Sequence, residues 1–369
     1  MTPWMPSALW IERSEAESDL ARRLRARLPA VPLRMVDDTA EAEPAGDFAE
    51  GKRRLVVKRH RGTFLQHCPA GTPGLVCCNY LVVSFAANCP FDCSYCFLQD
   101  YLANNTAIKA FSNVGDGLSE IDAVLRAHPD RTFRIGTGEL ADSLALDHLT
   151  DLSRELVPFF AERPNGLLEL KTKSTGVDNL LDLDPKERTV VSWSLNATRI
   201  MATEEDGTAS LEERLHAARR VQAAGYRVGF HFDPIIAHEG WEDGYRQVIE
   251  RVFRRLDTRR VAWVSLGSLR MTPGLKAAIK ARPNPSLVLT GELVPGPDGK
   301  ERAWRGLRVK IYRRMLDWLQ QIDARMPVYV CMEPPGVWSK VFGQTPSDRE
   351  VAEQLVAQRP LACRVSTAR

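Results

Sequence analysis

The stretch Asn88-Cys89-Pro90-Phe91-Asp92-Cys93-Ser94-Tyr95-Cys96-Phe97, placed just behind the apolar run Tyr80-Leu81-Val82-Val83-Ser84-Phe85, decides how the chain is read. An apolar run of that kind, rich in β-branched and aromatic residues, reads as a buried strand. The cysteines behind it have the spacing C-x3-C-x2-C. Three thiolates on one short loop can hold three irons of a [4Fe-4S] cubane and leave the fourth iron open to an external ligand. Structural zinc competes with this reading, but it wants four protein ligands, usually from two paired knuckles, and no second knuckle or close histidine follows. A disulfide framework is disfavoured, since 8 cysteines in 369 residues is sparse and three are crowded within eight positions. Three structural thiols are disfavoured too, because Pro90, Asp92 and Ser94 make the loop polar rather than core-like. Cys89, Cys93 and Cys96 are therefore assigned as cluster ligands.

Outward from the loop, short apolar runs recur at 132–135, 167–171, 189–194, 228–232, 261–266 and 328–332. Helical apolar spacing lies between them at 118–127, 142–160, 177–181, 210–224, 244–255, 273–281 and 309–325. Strands alternating with helical crossovers predict about six parallel βα units, with ligands at the C-terminal ends of the strands. The cysteine loop sits at such an end. Residues 8–60 read as strand (8–12), helix (14–28) and strand (54–58), and the acidic, unperiodic segment 37–51 reads as a surface loop.

With 44% hydrophobic residues the chain can bury a large core. A net charge of +3 with 26% charged residues is only mildly basic and by itself does not argue for nucleic acid. There is no apolar run of about 18 residues, and Met1-Thr2-Pro3-Trp4-Met5-Pro6 lacks the basic-then-apolar pattern of a signal peptide. The expectation is a cytoplasmic protein with no membrane association. Free thiols and an oxygen-sensitive cluster suit a reducing compartment.

The cysteine triplet, with Tyr95 just before its last member, resembles the signature of the radical S-adenosylmethionine (SAM) superfamily. In that superfamily the methionine amino and carboxyl groups chelate the open iron, and electron transfer cleaves SAM to methionine and a 5′-deoxyadenosyl radical. Four segments occur in the order found in spore photoproduct lyases: Tyr95-Cys96-Phe97-Leu98-Gln99, Ser194-Leu195-Asn196-Ala197, Ala224-Gly225-Tyr226-Arg227-Val228-Gly229-Phe230, and the run from Pro234 through His238-Glu239-Gly240-Trp241 to Tyr245. Ala8-Leu9-Trp10-Ile11-Glu12 and residues 265–272 are also similar, so the resemblance reaches to about residue 320. It implies an α/β fold: a partial (β/α)6 radical SAM barrel (76–285), an N-terminal αβ appendage (1–75) and a C-terminal β-hairpin/helix extension (286–369). It further implies a [4Fe-4S] cluster and SAM as cofactors, an electron donor such as flavodoxin or ferredoxin, a monomer, and lyase action on a thymine dimer in DNA.

The same resemblance places the SAM contacts. Gly138 and Glu139, in Gly136-Thr137-Gly138-Glu139, fall where the superfamily turns its chain against the SAM amino group; the bland alternative is an ordinary strand-to-helix turn. Lys173, Ser194 and Asn196 match positions that contact SAM, against the alternative of local capping and core hydrogen bonds. His238-Glu239 either lines the site or caps the helix that follows.

Departures from the family matter for the chemistry. Glu139 stands where the family carries a hydrogen-donating cysteine, and Phe97 stands where it carries a tyrosine; Tyr95 is retained as a catalytic candidate. A carboxylate cannot return a hydrogen atom as a thiol can. Cys331, at the end of the last apolar run, is the candidate substitute donor, with a buried structural thiol as the alternative; the adjacent Cys77 and Cys78 are either reactive or buried. Asp298-Gly299 between β-prone runs predicts a hairpin, followed by cations interleaved with aromatics. Lys300, Arg302, Trp304 and Arg305, with Tyr312 beyond, are the candidate nucleic-acid contacts, in the place of the family's DNA-contacting hairpin; a solvated basic helix start is the alternative. The functional expectation is a radical SAM enzyme acting on a pyrimidine lesion or modified base in DNA. The alternatives are the same chemistry on a small molecule or peptide, and a non-catalytic cluster-bearing redox or sensing protein.

Overall fold

The computed structural model describes residues 2–42, 48–69 and 71–358. Seven parallel strands stand side by side in chain order: β1 (Leu81–Val83), β2 (Phe133–Gly136), β3 (Gly166–Thr172), β4 (Thr189–Ser194), β5 (Arg227–Ile235), β6 (Val261–Ser268) and β7 (Val328–Val330). Each lies on one of the apolar runs read from the sequence. The antiparallel strand Leu65–His67 covers the β1 edge. Sequential parallel strands joined by crossovers are the pattern of an open, partial barrel. The strands are apolar along their whole length because helices cover one face and the barrel interior the other; all six residues of β4 are buried.

Helix Leu211–Ala223 shows how the crossovers are specified. Ser210 and Glu213 form a capping box at its start, and Leu215, Ala218 and Val221 bury its inner stripe. The predicted helix 142–160 is instead two helices, Asp147–Thr150 and Leu152–Ala161, broken at Asp151 with φ 53°. Carboxylates compete with the helical backbone here: Asp142 accepts from the Leu144 and Ala145 N–H groups, and Asp147 accepts from the N–H and hydroxyl of Ser153. Residues 177–181, also predicted helical, give only the 3-10 turn Asp178–Leu180.

A second sheet holds Leu33–Val36, Ala8–Glu12, Arg54–Lys58 and Ile108–Phe111 in parallel, with Ala86–Ala87 antiparallel at its edge. Its last two strands flank the cysteine loop in sequence, so this sheet and the barrel grip the loop together. The predicted hairpin forms from Leu293–Pro295 and Glu301–Ala303, turns at Gly299 (φ 73°), and is extended by Arg270–Met271 to three strands. Helix Arg305–Ile322 then leads back to β7, and helices Pro335–Phe342 and Asp348–Val356 follow. No described helix is long and apolar enough to cross a membrane.

The barrel interior carries a polar layer, with one side chain from each of β2 to β7: Arg134, Glu169, Ser192, His231, Trp263 and Tyr329. Arg134 lies 3.2 Å from Glu169 and over the rings of Tyr80 and Trp263 at 4.7 and 4.8 Å. His231 Nε2 lies 2.7 Å from Glu169. Burial alone would push the Glu169 carboxyl up, but Arg134 and His231 outweigh it and hold it well below the ordinary value. This layer is a floor on which the mouth of the barrel rests.

Candidate active site

The cysteine loop leaves β1 through Asn88, which adopts φ 68° and is fully buried. Its amide side chain accepts from Cys89 N (2.8 Å) and donates to Thr106 O (2.5 Å), and its own N–H donates to Leu140 O (2.8 Å). Asp92 and Cys93 pair antiparallel with Asp206 and Glu205. Gln99 Nε2 donates to the carbonyls of Cys93, Ser94 and Cys96 at 3.2, 2.8 and 3.2 Å, and Arg282 holds Asp92 at 2.8 Å. The backbone is thus committed, while all three thiols remain free. Burial pushes the thiols up, Cys93 to about 12, with Lys52 and Lys173 pulling the other way.

No group of three His, Cys, Asp or Glu side chains among the described residues closes round a single ion. A cubane asks for something different, because each thiolate takes a separate iron and the three sulfurs stay apart. Three free thiols on a braced loop, with Lys52 and Lys173 beside them to offset thiolate charge, fit that donor set.

At the end of β2, a Cβ on Gly138 would stand 2.9 Å from Lys171 Cβ and 3.3 Å from Lys171 O, so the turn approaches β3 as only glycine allows. Glu139 is half-buried in the mouth and raised, first by burial, with Lys171 opposing. Lys173 donates at 2.8 Å both to the Tyr95 oxygen and to Glu205. Tyr95 in turn donates to Glu205, and the fully buried Arg214 holds the other Glu205 oxygen at 2.7 Å and the Ser194 carbonyl at 2.7 Å. Burial would raise Glu205, but Lys173 and Arg214 bring it down to about 2. The sequence reading missed this network, which ties the cluster loop to β3 and β4. No spacing signal links residues 95, 173, 205 and 214.

Several candidates are engaged within the protein. The Asn196 side chain is engaged within the protein: its Nδ2 donates to Pro234 O at 2.9 Å, while its oxygen accepts from Tyr245 O–H and Ala197 N. Arg302 does not face solvent. It is 2% exposed and paired with Asp298 inside the hairpin, because the tight turn folds that carboxylate back onto it. Tyr312 is likewise buried, donating to Glu333. Of the remaining hairpin candidates, Trp304 is 54% exposed, Arg305 is exposed and Lys300 is half-buried. Phe97 is 37% exposed and packs edge-on against Tyr101. His238 Nδ1 makes only a local contact with Glu239 O at 2.7 Å, and Glu239 is exposed.

The mouth also gathers groups the sequence did not single out. Lys171, Asp233 and Arg270 surround Glu139, and Cys331 feels Asp233, Cys78 and Arg270. Burial pushes the Cys331 thiol well up, so it keeps its S–H at neutral pH. The neighbouring Cys77 thiol, helped by Arg134, lowers the Cys78 thiol against the effect of burial.

A partial parallel barrel with three free thiols on the loop after its first strand has the architecture of a radical SAM enzyme. A family model described as spore photoproduct lyase matches residues 51–289. The chain is 33% identical over 289 residues to the spore photoproduct lyase of Bacillus subtilis (strain 168), covering 75% of this chain and 82% of that one. It is 26% identical over 265 residues to the spore photoproduct lyase of a Geobacillus species, covering 70% and 76%. The chain belongs to the spore photoproduct lyase family, a family of radical SAM lyases. Its fold matches a solved spore photoproduct lyase in complex with dinucleoside spore photoproduct, and a doubly substituted form with S-adenosylmethionine also bound. Each has a TM-score of 0.78 and 24% identity, covering 89% of this chain and 99% of the other.

Proposed function

We propose that the protein repairs a spore photoproduct-like thymine lesion in DNA by radical SAM chemistry. The observation that carries this is the free-thiol triplet on the braced loop at the C-terminal end of β1, in a chain whose relatives bear the spore photoproduct lyase name. Cys89, Cys93 and Cys96 would hold the cluster, and Gly138 with Glu139 would meet the SAM amino group. When bound, cluster and SAM supply a carbon radical that removes a hydrogen atom from the substrate. Electrons would come from a flavodoxin- or ferredoxin-type donor, in the cytoplasm, to a monomeric enzyme.

The chain's own part is positional. Glu205, Lys173 and Arg214 hold the loop against β3 and β4, and the polar layer below keeps the mouth rigid. Trp304 and Arg305, exposed at the hairpin base, would meet the duplex while the lesion enters the mouth flipped from the stack. Cys331 would return the hydrogen atom: its S–H bond breaks, a C–H bond forms on the thymine radical, and the sulfur radical is re-reduced by an external thiol. The test is anaerobic incubation of reconstituted protein with SAM, reductant and dinucleotide spore photoproduct, read by mass spectrometry. Thymine products supersede the alternatives; SAM cleavage without any change in the lesion would remove this reading.

A further inference from the structure

Three cations, Lys171, Arg270 and Lys300, meet at the mouth around Glu139. Arg270 lies opposite Arg302 in the hairpin sheet, and Lys300, just before the Glu301–Ala303 strand, feels both of them. Asp298 neutralises Arg302. No carboxylate among the described residues lies within ion-pair distance of Arg270, Lys300 or Lys171, and Arg270 Nη1 is buried with no hydrogen-bond partner. Lys171 reaches the same space from β3, on the inward face it shares with Glu169 and Lys173, packed under the Gly138 turn.

The carboxylates facing them are Glu139 and Asp233, and Glu139 feels all three cations. Three positive groups against two negative ones leave one net positive charge, which matches a single phosphodiester. Like charges crowded on one sheet face destabilise the empty protein, and an anion seated among them removes that repulsion. Lys300 registers the crowding: burial and then Arg270 lower its pKa. Exposed Trp304 and Arg305 follow the hairpin directly, and the Cys331 thiol feels Arg270.

We propose that Lys171, Arg270 and Lys300 form an anion subsite for the phosphodiester that joins the two nucleosides of the lesion. This rests on the DNA-lesion reading above, but its chemistry can be probed separately. Binding to the cluster-loaded, SAM-bound protein would be measured by calorimetry with two ligands, the dinucleotide photoproduct and the dinucleoside photoproduct lacking the phosphate. The phosphate-bearing ligand should bind at least about tenfold more tightly at low salt. Arg270→Gln should erase most of that difference while weakening the phosphate-free ligand less than about twofold, and Lys300→Gln, on the more exposed hairpin, should act in the same direction. Equal affinity for the two ligands, or equal losses for both, would overturn the subsite. Inorganic phosphate is the probe independent of the lesion. It should bind the unsubstituted protein more tightly than either variant. If phosphate behaves so while neither photoproduct binds, the subsite stands and the lesion reading falls; if phosphate does not distinguish the proteins, the subsite falls.

Discussion

Replacing Glu205 with Gln tests whether the buried network that joins the cluster loop to the barrel is a structural tie. Glu205 and Arg214 are both 0% exposed, and Lys173 and Tyr95 share the remaining carboxylate oxygen. The carboxylate is held at about 2 against an ordinary value of 4.5. That shift corresponds to about 3 kcal/mol of native-state stabilisation. Breaking one partner out of a buried pair independently suggests about 3–5 kcal/mol, because Lys173 and Arg214 are left charged and unmatched. A chain of 369 residues unfolds with an entropy of about 0.8 kcal/mol/K, so Glu205→Gln should lower the melting temperature by about 4 °C at pH 7. The pKa is lowered by folding, so the contribution is present above pH 4.5 and is lost as pH falls toward about 2. The gap between parent and variant should therefore narrow by about 2 kcal/mol between pH 7 and pH 3. Thermal unfolding followed by circular dichroism at both pH values measures it. A melting temperature within about 1 °C of the parent at pH 7, or a gap that does not change with pH, would refute the argument.

Cys93→Ala should remove most bound iron and abolish 5′-deoxyadenosine formation, since two thiolates hold a cubane poorly; full iron content by colorimetric assay would sink the ligand assignment. Cys331→Ser should keep the cluster and SAM cleavage but lower repaired thymine, raise adducts, and stop solvent deuterium entering the product; unchanged products would exclude this thiol as donor. Arg305→Ala should reduce the slope of log affinity for duplex DNA against log salt by about 0.9, the value for one phosphate contact. Arg302→Ala should instead loosen the hairpin, visible as faster amide exchange over residues 293–303, because its charge is spent on Asp298; a salt slope altered as in Arg305→Ala with an unperturbed hairpin would contradict that.

Trp304 and Arg305 remain exposed beside the hairpin as the composition of that stretch suggested, whereas Arg302, chemically the same kind of residue, is turned inward. Sequence spacing cannot distinguish them, since the direction of each side chain follows from strand pairing and from where Asp298 is carried by the turn. Asn196 illustrates the same limit. Its place after β4 was legible, but its partners Pro234 and Tyr245 belong to later segments and claim both ends of its amide. Helix 142–160 failed for a local reason, the pull of Asp142 and Asp147 on nearby N–H groups.

By itself the sequence determined the cysteine loop, the run of parallel βα units and the hairpin, because each is written in spacings of a few residues: thiols at three and four positions, apolar runs at strand length, Asp-Gly at a turn. Only the tertiary structure decided what surrounds the chemistry. Glu139, Lys171, Asp233, Arg270 and Cys331 lie far apart along the chain and share no motif. They meet because strand and hairpin ends converge on one mouth, where Glu139 feels Lys171, Asp233 and Arg270, Lys171 feels Asp233, Glu139 and Cys331, and Cys331 feels Asp233 and Arg270.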